Sequence, residues 1–283
     1  MSNVTFRAGV SWSGPGDPSA DVVLRLPDRD APAHDRIVCE HRAQALLRKA
    51  GLPVPEPAWT GFDDPVLSQD FYVMQLVPGR STTDNPPYHQ AGWLRDAGPA
   101  VQAAVWDEAL SHLSMLHRVD WREGGLGFLA EELPGSERPL TDALVGRAGW
   151  RFDAALARPA LVELLVRRAD MHGHAGLGSI SIGEPALDLA ALVWTDEQEQ
   201  SLAGDRLPDI TSEYETVSRY QDLLGQPMVN YPYYKILYAV PSASWPLLVH
   251  GRLVVRGALQ GVEDMQVVPE ETLEAIEDMI DRL

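Results

Sequence analysis

The segment 172–174, His-Gly-His, holds the side chains of this chain that are best suited to chemistry. A neutral imidazole can accept a proton near neutral pH, so His172 and His174 are candidate general bases. Their alternating spacing could also offer two ring nitrogens to one metal ion. No third ligand follows at a clear spacing, and a loop without a metal is therefore the favoured interpretation of the two histidines.

Two glycine clusters have the composition of phosphate loops but not the context. The cluster Gly124-Gly125-x-Gly127 has no strand before it, which indicates a plain loop and not a dinucleotide fingerprint. Gly14 and Gly16 lie between two short apolar segments, where a hairpin turn explains them better. Neither cluster therefore predicts a phosphate site by itself.

Aromatic residues form a further candidate group in the second half of the chain. Tyr231, Tyr233, Tyr234 and Trp245 could line a substrate pocket, but packing between helices is the favoured alternative. Trp106 is one of several tryptophans predicted to be core anchors.

The first 80 residues read as strand, strand, helix, strand. Segments 5–10 and 21–26 are short apolar strands joined by a Gly- and Pro-rich turn, which predicts a hairpin. Apolar residues recur at helical spacing over 35–50, where Gly51 ends the helix, and three prolines then impose an extended segment. Residues 71–77 form a further strand before Pro78 and Gly79.

Composition changes at residues 81–87, the predicted boundary between a lobe of residues 1–80 and a mainly helical lobe of residues 81–283. Helical patterns cover a stripe from Val105 to His117 and the segments 159–168, 213–224 and 269–283. The sequence thus predicts an α+β protein with a small β-rich lobe followed by a larger helical lobe.

The net charge of −18 over 283 residues argues against partners that are themselves anionic. Nucleic acid and anionic membrane surfaces would repel the chain, so neither is expected as a partner. One cysteine rules out an internal disulfide and fits a reducing cytoplasm. No apolar run approaches the roughly 20 residues that span a bilayer.

Several sequence segments of the first 80 residues resemble the aminoglycoside phosphotransferase and choline kinase family, which has a protein kinase-like fold. The segments occur in the same order as in the family. Residues 21–27 resemble its third strand, and Arg25 stands where the family carries a basic residue for the nucleotide phosphates. Residues 39–42 resemble the helix that supplies the acidic partner, here Glu40. Residues 71–80 resemble the hinge strand whose backbone meets adenine, which implies Met74, Gln75 and Leu76 as contacts.

The second half continues the resemblance but departs from it at the catalytic loop. The family pattern is His-Gly-Asp, four residues, then Asn, followed by a strand that ends in a metal-binding Asp. Residues 172–179 align with this loop, so His174 stands in place of the Asp and Ser179 in place of the metal-binding Asn. The strand with the second Asp is expected to be missing, because the segment 182–190, which resembles the stretch after that strand, follows at once.

The resemblance implies ATP and Mg²⁺ as cofactors and a small molecule with a hydroxyl group as acceptor. Metal-held positioning supplies most of the catalysis in phosphoryl transfer, so the altered loop predicts an impaired enzyme. A pseudokinase that binds a metabolite, nucleotide or partner protein without catalysis remains the alternative, as does a decayed reading frame. Residues 2–6 resemble those just after the family's glycine-rich loop, so that loop is expected to lie before Met1 or to be lost. Within the family, the chain resembles an actinobacterial-style subgroup that is related to the kinase-like domain of certain acyl-CoA dehydrogenases.

Overall fold

The computed structural model describes residues 4–11, 19–26, 36–62, 65, 67–83, 85–131, 183–243 and 270–282. These residues divide into two compact units, one from Met1–Ser81 with Ser114–Glu131 and one from Thr82–Leu113 with Glu132–Leu283. The first unit thus resembles the predicted lobe of residues 1–80 but also takes in Ser114–Glu131. As functional lobes, 1–80 and 81–283 stay a prediction.

The predicted hairpin strands are β1 (Val4–Ser11) and β2 (Ser19–Leu26), which pair antiparallel over their full length. Their register aligns Thr5 with Arg25 and Ser11 with Ser19. Since side chains alternate between the faces of a sheet, Thr5 and Arg25 lie side by side on one face.

Helix α1 (Arg36–Lys49) follows as predicted. Ile37, Ala43 and Leu47 are buried at helical spacing. The helix ends at Gly51, whose φ of 91° is the left-handed conformation that favours glycine after a helix. One side of α1 is therefore fixed by packing, and Glu40 lies within it.

The sheet contains one strand that the sequence did not predict, β3 (Pro57–Gly61), which is paired with β4 (Phe71–Gln75). The strand order is β1-β2-β4-β3, and all pairs are antiparallel. The register between β2 and β4 aligns Arg25 with Tyr72. A row of side chains, from Thr5 through Arg25 to Tyr72, thus crosses three strands on one face.

Helices make up most of the remaining described residues. Short α2 (Trp93–Asp96) precedes α3 (Pro99–His117), and short α4 (Phe128–Glu131) comes after it. Farther along the chain are α5 (Pro185–Ala203), α6 (Glu213–Leu224), α7 (Tyr231–Ala243) and α8 (Glu270–Asp281). The predicted helices that end near His117 and that cover 213–224 and 269–283 are present, whereas the segment 159–168 lies outside the described residues. None of the helices described is long and apolar enough to cross a bilayer.

The core of the second unit is built from α3, α5, α6 and α7. Leu110, Leu189, Tyr220 and Leu237 are almost completely buried in it. Trp106 is buried there as predicted, and its indole N–H donates to Thr216 Oγ1 at 3.1 Å. Helix α5 begins at Pro185 and ends at Gly204 in the left-handed conformation, so both of its ends carry the expected signals.

Candidate nucleotide site

The sheet and α1 bring together the two charged residues that the sequence singled out. Arg25 Nη2 donates to Glu40 Oε2 at 2.9 Å, and the two side chains are 25% and 20% exposed. The ion pair is therefore neither fully buried nor freely solvated. It joins the end of β2 to the second turn of α1.

Tyr72 is a third member of this group, and sequence reasoning missed it. Its hydroxyl donates to Glu40 Oε2 at 3.4 Å. Burial, followed by the Glu40 charge, raises the pKa of Tyr72 to about 12. The phenol therefore remains protonated at neutral pH and acts as a neutral donor to Glu40. Its position opposite Arg25 in the strand register was the only signal that could have predicted it, and that register is not visible in the sequence.

Arg25 has donor capacity left over. Nη1 lies 3.4 Å from Thr5 Oγ1, while Nε is buried and has no hydrogen-bond partner within the described part of the chain. A guanidinium carries five N–H donors in a planar fork, which suits phosphate oxygens. The Glu40 carboxylate thus orients the Arg25 guanidinium and leaves one of its N–H groups unsatisfied. This arrangement is compatible with an anionic ligand at Arg25.

The end of β4, where Met74 and Gln75 lie, is tied to α1 by Gln44. Gln44 Nε2 donates to Pro55 O at 2.8 Å and to Met74 Sδ at 3.3 Å. The Gln75 N–H is already engaged by Glu56 O at 2.8 Å, so an adenine base at this strand would have to bind other backbone groups. Leu76 follows the strand, which is two residues shorter than the sequence predicted.

The residues predicted for catalysis and metal binding, His172, His174 and Ser179, lie outside the described residues. Nearby, Asp188 is exposed in the first turn of α5 and Glu184 is the residue that precedes this helix. No group of three His, Cys, Asp or Glu side chains within the described ranges could hold a metal ion.

A second polar group lies in the helical unit and was not predicted. Asp196 Oδ1 accepts a hydrogen bond from the Tyr88 hydroxyl and lies 2.9 Å from His89 Nε2. The Leu207 N–H donates to His89 Nδ1 at 3.0 Å, so Nδ1 carries no proton and Nε2–H is the donor to Asp196. Because both ring nitrogens are used, His89 is a neutral structural link and not a base.

The tyrosine cluster of α7 belongs to the core. Tyr231, Tyr233 and Tyr234 are all buried and pack into the hydrophobic cluster of the second unit. Their burial supports helix packing, which the sequence favoured over a substrate pocket.

The four-stranded antiparallel sheet with one helix, carrying an Arg–Glu pair and followed by a helical unit, defines a protein of the kinase-like class. The sequence pattern of the phosphotransferase enzyme family matches residues 10–178, more than half of the chain. The chain belongs to this family, as the resemblance of its sequence segments implied.

Two solved structures share the fold. One is a protein from Ralstonia eutropha assigned to the aminoglycoside phosphotransferases, with a TM-score of 0.60 and 18% identity over 97% of this chain and 90% of that one. The other is an ethanolamine kinase from Plasmodium vivax, with a TM-score of 0.51 and 12% identity over 99% of this chain and 79% of that one. At these identities the likeness shows the kinase-like α+β fold alone.

Two curated relatives match a shorter part of the chain. They are the acyl-CoA dehydrogenase family members 11 of Gallus gallus and Rattus norvegicus, which are 37% and 30% identical over 95 residues. The match covers 34% of this chain and 11% of each relative. The chain thus corresponds to about a tenth of these longer proteins.

Proposed function

We propose that this protein binds ATP at the Arg25–Glu40 pair and is by lineage a phosphotransferase for a hydroxyl group on a small molecule, with phosphoryl transfer slowed by its altered catalytic loop. The observation that carries the proposal is the 2.9 Å ion pair between Arg25 and Glu40, which Tyr72 supports from the neighbouring strand. Membership in the phosphotransferase family agrees with it.

The pair suits a nucleotide because Glu40 orients the guanidinium without using all of its donors. Arg25 would place its remaining N–H groups toward phosphate oxygens, where charge-assisted hydrogen bonds are strong. Mg²⁺ would supply further charge neutralisation for the phosphates. Its expected ligands lie around Ser179, with Glu184 or Asp188 as substitutes for the missing Asp.

The alternative function is that of a pseudokinase, which would bind a nucleotide, metabolite or partner protein without transferring phosphate. The loop 172–179 favours it, since His174 replaces the expected Asp and Ser179 the expected Asn. A pseudokinase that binds a nucleotide would share the nucleotide site with the enzyme and differ from it only in chemistry.

The acceptor is proposed to be a small molecule with a hydroxyl group. Phosphotransferases whose names specify aminoglycosides and ethanolamine share this fold, and both of those substrates carry hydroxyl and amino groups. The expectations that the protein binds neither nucleic acid nor membrane, and that it is cytoplasmic, rest on its net charge of −18 and its single cysteine.

Isothermal titration with ATP, with and without Mg²⁺, tests nucleotide binding. The wild type should bind in the micromolar range, and Arg25→Ala should weaken binding about tenfold or more, because a charge-assisted contact is lost. Arg7→Ala is the matched control, since it removes the same charge from the same sheet face and should change affinity less than about twofold. A folded wild-type protein that binds no ATP would refute the proposal.

Phosphoryl transfer is tested separately, by restoring the family residues. The double variant His174→Asp, Ser179→Asn should raise the rate of ATP-dependent phosphorylation in a screen of hydroxyl-bearing amines. Such a gain would indicate an impaired enzyme. If neither the wild type nor the variant transfers phosphate while both still bind ATP, the result would favour the pseudokinase.

A further inference from the structure

A small polar cavity of about 90 Å³ lies in the helical unit. Helix α5 contributes Val193, Asp196, Glu197 and Gln200, whose spacing puts them on one side of the helix. The opposite wall comes from the start of α6 and the segment before it, which supply Arg206, Thr211, Glu213 and Thr216, and Trp106 of α3 completes the lining. The cavity therefore combines an apolar wall with three carboxylates.

Two of these carboxylates share one buried lysine. Lys235 Nζ donates to Glu197 Oε1 and to Glu213 Oε1, at 2.8 Å each, and its side chain is only 8% exposed. One ammonium thus serves two carboxylates, and this triad keeps a formal charge of −1.

The third carboxylate, Asp196, has no cationic partner among the described residues. It is 5% exposed, and both of its donors, the Tyr88 hydroxyl and the neutral His89 Nε2–H, bind the same oxygen, Oδ1. No described residue donates to Oδ2, and Asp196 lines the cavity. A buried charge is normally paired with an opposite charge, so an uncompensated carboxylate beside a cavity indicates a cationic occupant.

Arg206 does not fill this role. Its Nη2 donates to the backbone oxygens of Ile210 and Thr211, at 3.0 and 2.7 Å, and no ion pair joins it to Asp196. The three carboxylates, Lys235 and Arg206 together carry a formal charge of −1. A single positive charge therefore balances the site.

We propose that this cavity binds a small protonated amine, with its ammonium group on Asp196 Oδ2 and its alkyl group against Trp106 and Val193. Trp106 and Val193 offer apolar contacts to an alkyl group, which a hydrated metal ion could not use. Across the described residues, no three His, Cys, Asp or Glu side chains, these carboxylates included, converge closely enough to hold a metal. The proposal is independent of nucleotide binding, because none of the residues of the nucleotide site enters it.

Ethylammonium is the probe for the test, and its binding is measured on the full chain by ligand-observed NMR at constant ionic strength. A ligand with three non-hydrogen atoms can reach a dissociation constant on the order of 1 mM at best. Ethanol, of the same size but neutral, and K⁺, charged but without an alkyl group, should each bind at least about tenfold more weakly.

The variant Asp196→Asn keeps an acceptor oxygen for Tyr88 and His89 but removes the charge. It should weaken ethylammonium binding at least about tenfold while the circular dichroism spectrum stays unchanged. Asp222→Asn is the matched control, because Asp222 is exposed on α6 and does not line the cavity. It removes the same charge and should leave binding unchanged.

The comparison of ligands on the wild type holds even if Asp196→Asn does not fold. No ethylammonium binding, or equal binding of ethylammonium, ethanol and K⁺, would mean that the cavity holds only water and would overturn the proposal. Equal affinity of wild type and a folded Asp196→Asn would overturn it as well.

Discussion

Carboxylates occupy different surroundings in the two units of this protein. In the sheet unit, Glu40 meets the guanidinium of Arg25, and both side chains remain partly exposed. In the helical unit, Asp196 is almost fully buried and meets only the neutral donors Tyr88 and His89. The first carboxylate is balanced by a partly exposed guanidinium, and the second is held by two hydrogen-bond donors inside the helical unit.

The difference in exposure predicts a different cost for losing a partner in each unit. A partly exposed ion pair contributes little to stability, because water screens it and competes for both partners. Water does not replace the partners in a buried network, so the loss of one member leaves polar groups without a hydrogen bond. We therefore expect substitutions at His89 to change folding strongly, and substitutions at Arg25 to change ligand binding more than folding.

The largest effect is expected for His89→Ala. The change removes the acceptor of the buried Leu207 N–H and one of the two donors to Asp196. The unsatisfied N–H, the weakened support of Asp196 and the cavity left by the buried ring should together lower the free energy of unfolding by about 3 kcal/mol, measured by urea denaturation. His112→Ala is the control, since His112 is exposed on α3 and should change stability by less than about 0.5 kcal/mol. Similar values for the two variants would show that the network is not structural.

The next effect is expected for Arg25→Ala. Glu40 would lose its guanidinium but keep the Tyr72 hydroxyl and some solvent contact. A partly buried pair lies between the exposed and buried extremes, so the free energy of unfolding should fall by about 1.5 kcal/mol. A loss as large as that of His89→Ala, in the same urea denaturation, would remove the contrast between the two units.

Much of the fold could be predicted from local patterns. The hairpin strands, α1 and the helix of residues 213–224 follow from alternation, helical spacing and Gly or Ser signals at their ends. Strand β3 was missed because it begins at Pro57, the last of three prolines that predicted only an extended segment. Helix α5 was missed although Pro185 and Gly204 mark its two ends, because its sequence was interpreted only as a family string.

The same distinction between local and long-range signals applies to the candidate sites. The pairing of Arg25 with Glu40 could be predicted, because each residue lies in a sequence segment that resembles the family. The two segments also form neighbouring elements. Tyr88 and His89 could not be linked to Asp196, since more than 100 residues separate them and only the packing of the helical unit brings them together. Long-range polar contacts of this kind leave no periodic signal in a single sequence.

Tyr72→Phe should have a moderate destabilising effect that shrinks as the pH rises above 10. At neutral pH the loss of the hydrogen bond to Glu40 should lower the free energy of unfolding by about 1 kcal/mol. The pKa of Tyr72 is raised from 10.0 to about 12 in the folded protein, so its contribution is complete below pH 10 and is lost as the pH rises toward 12. Urea denaturation across this range should therefore show a shallower decline in the variant than in the wild type.

The other tyrosines do not obscure this comparison. Burial also raises the pKa values of Tyr88, Tyr231 and Tyr234, but these residues are present in both proteins. Their contributions cancel in the difference between wild type and Tyr72→Phe. Identical pH profiles would mean that folding does not raise the pKa of Tyr72.

The smallest effect is expected for Arg7→Ala, on the sheet face that also carries Arg25. Arg7 pairs with Asp21, but the two side chains are 69% and 53% exposed, so water replaces most of what the pair provides. The free energy of unfolding should change by no more than about 0.3 kcal/mol in urea denaturation. Because Arg7 and Arg25 share residue type, sheet face and partner type, a small effect at Arg7 beside a larger one at Arg25 would assign the difference to burial. Equal effects would mean that charge alone, and not the surroundings of the pair, determines what these arginines contribute.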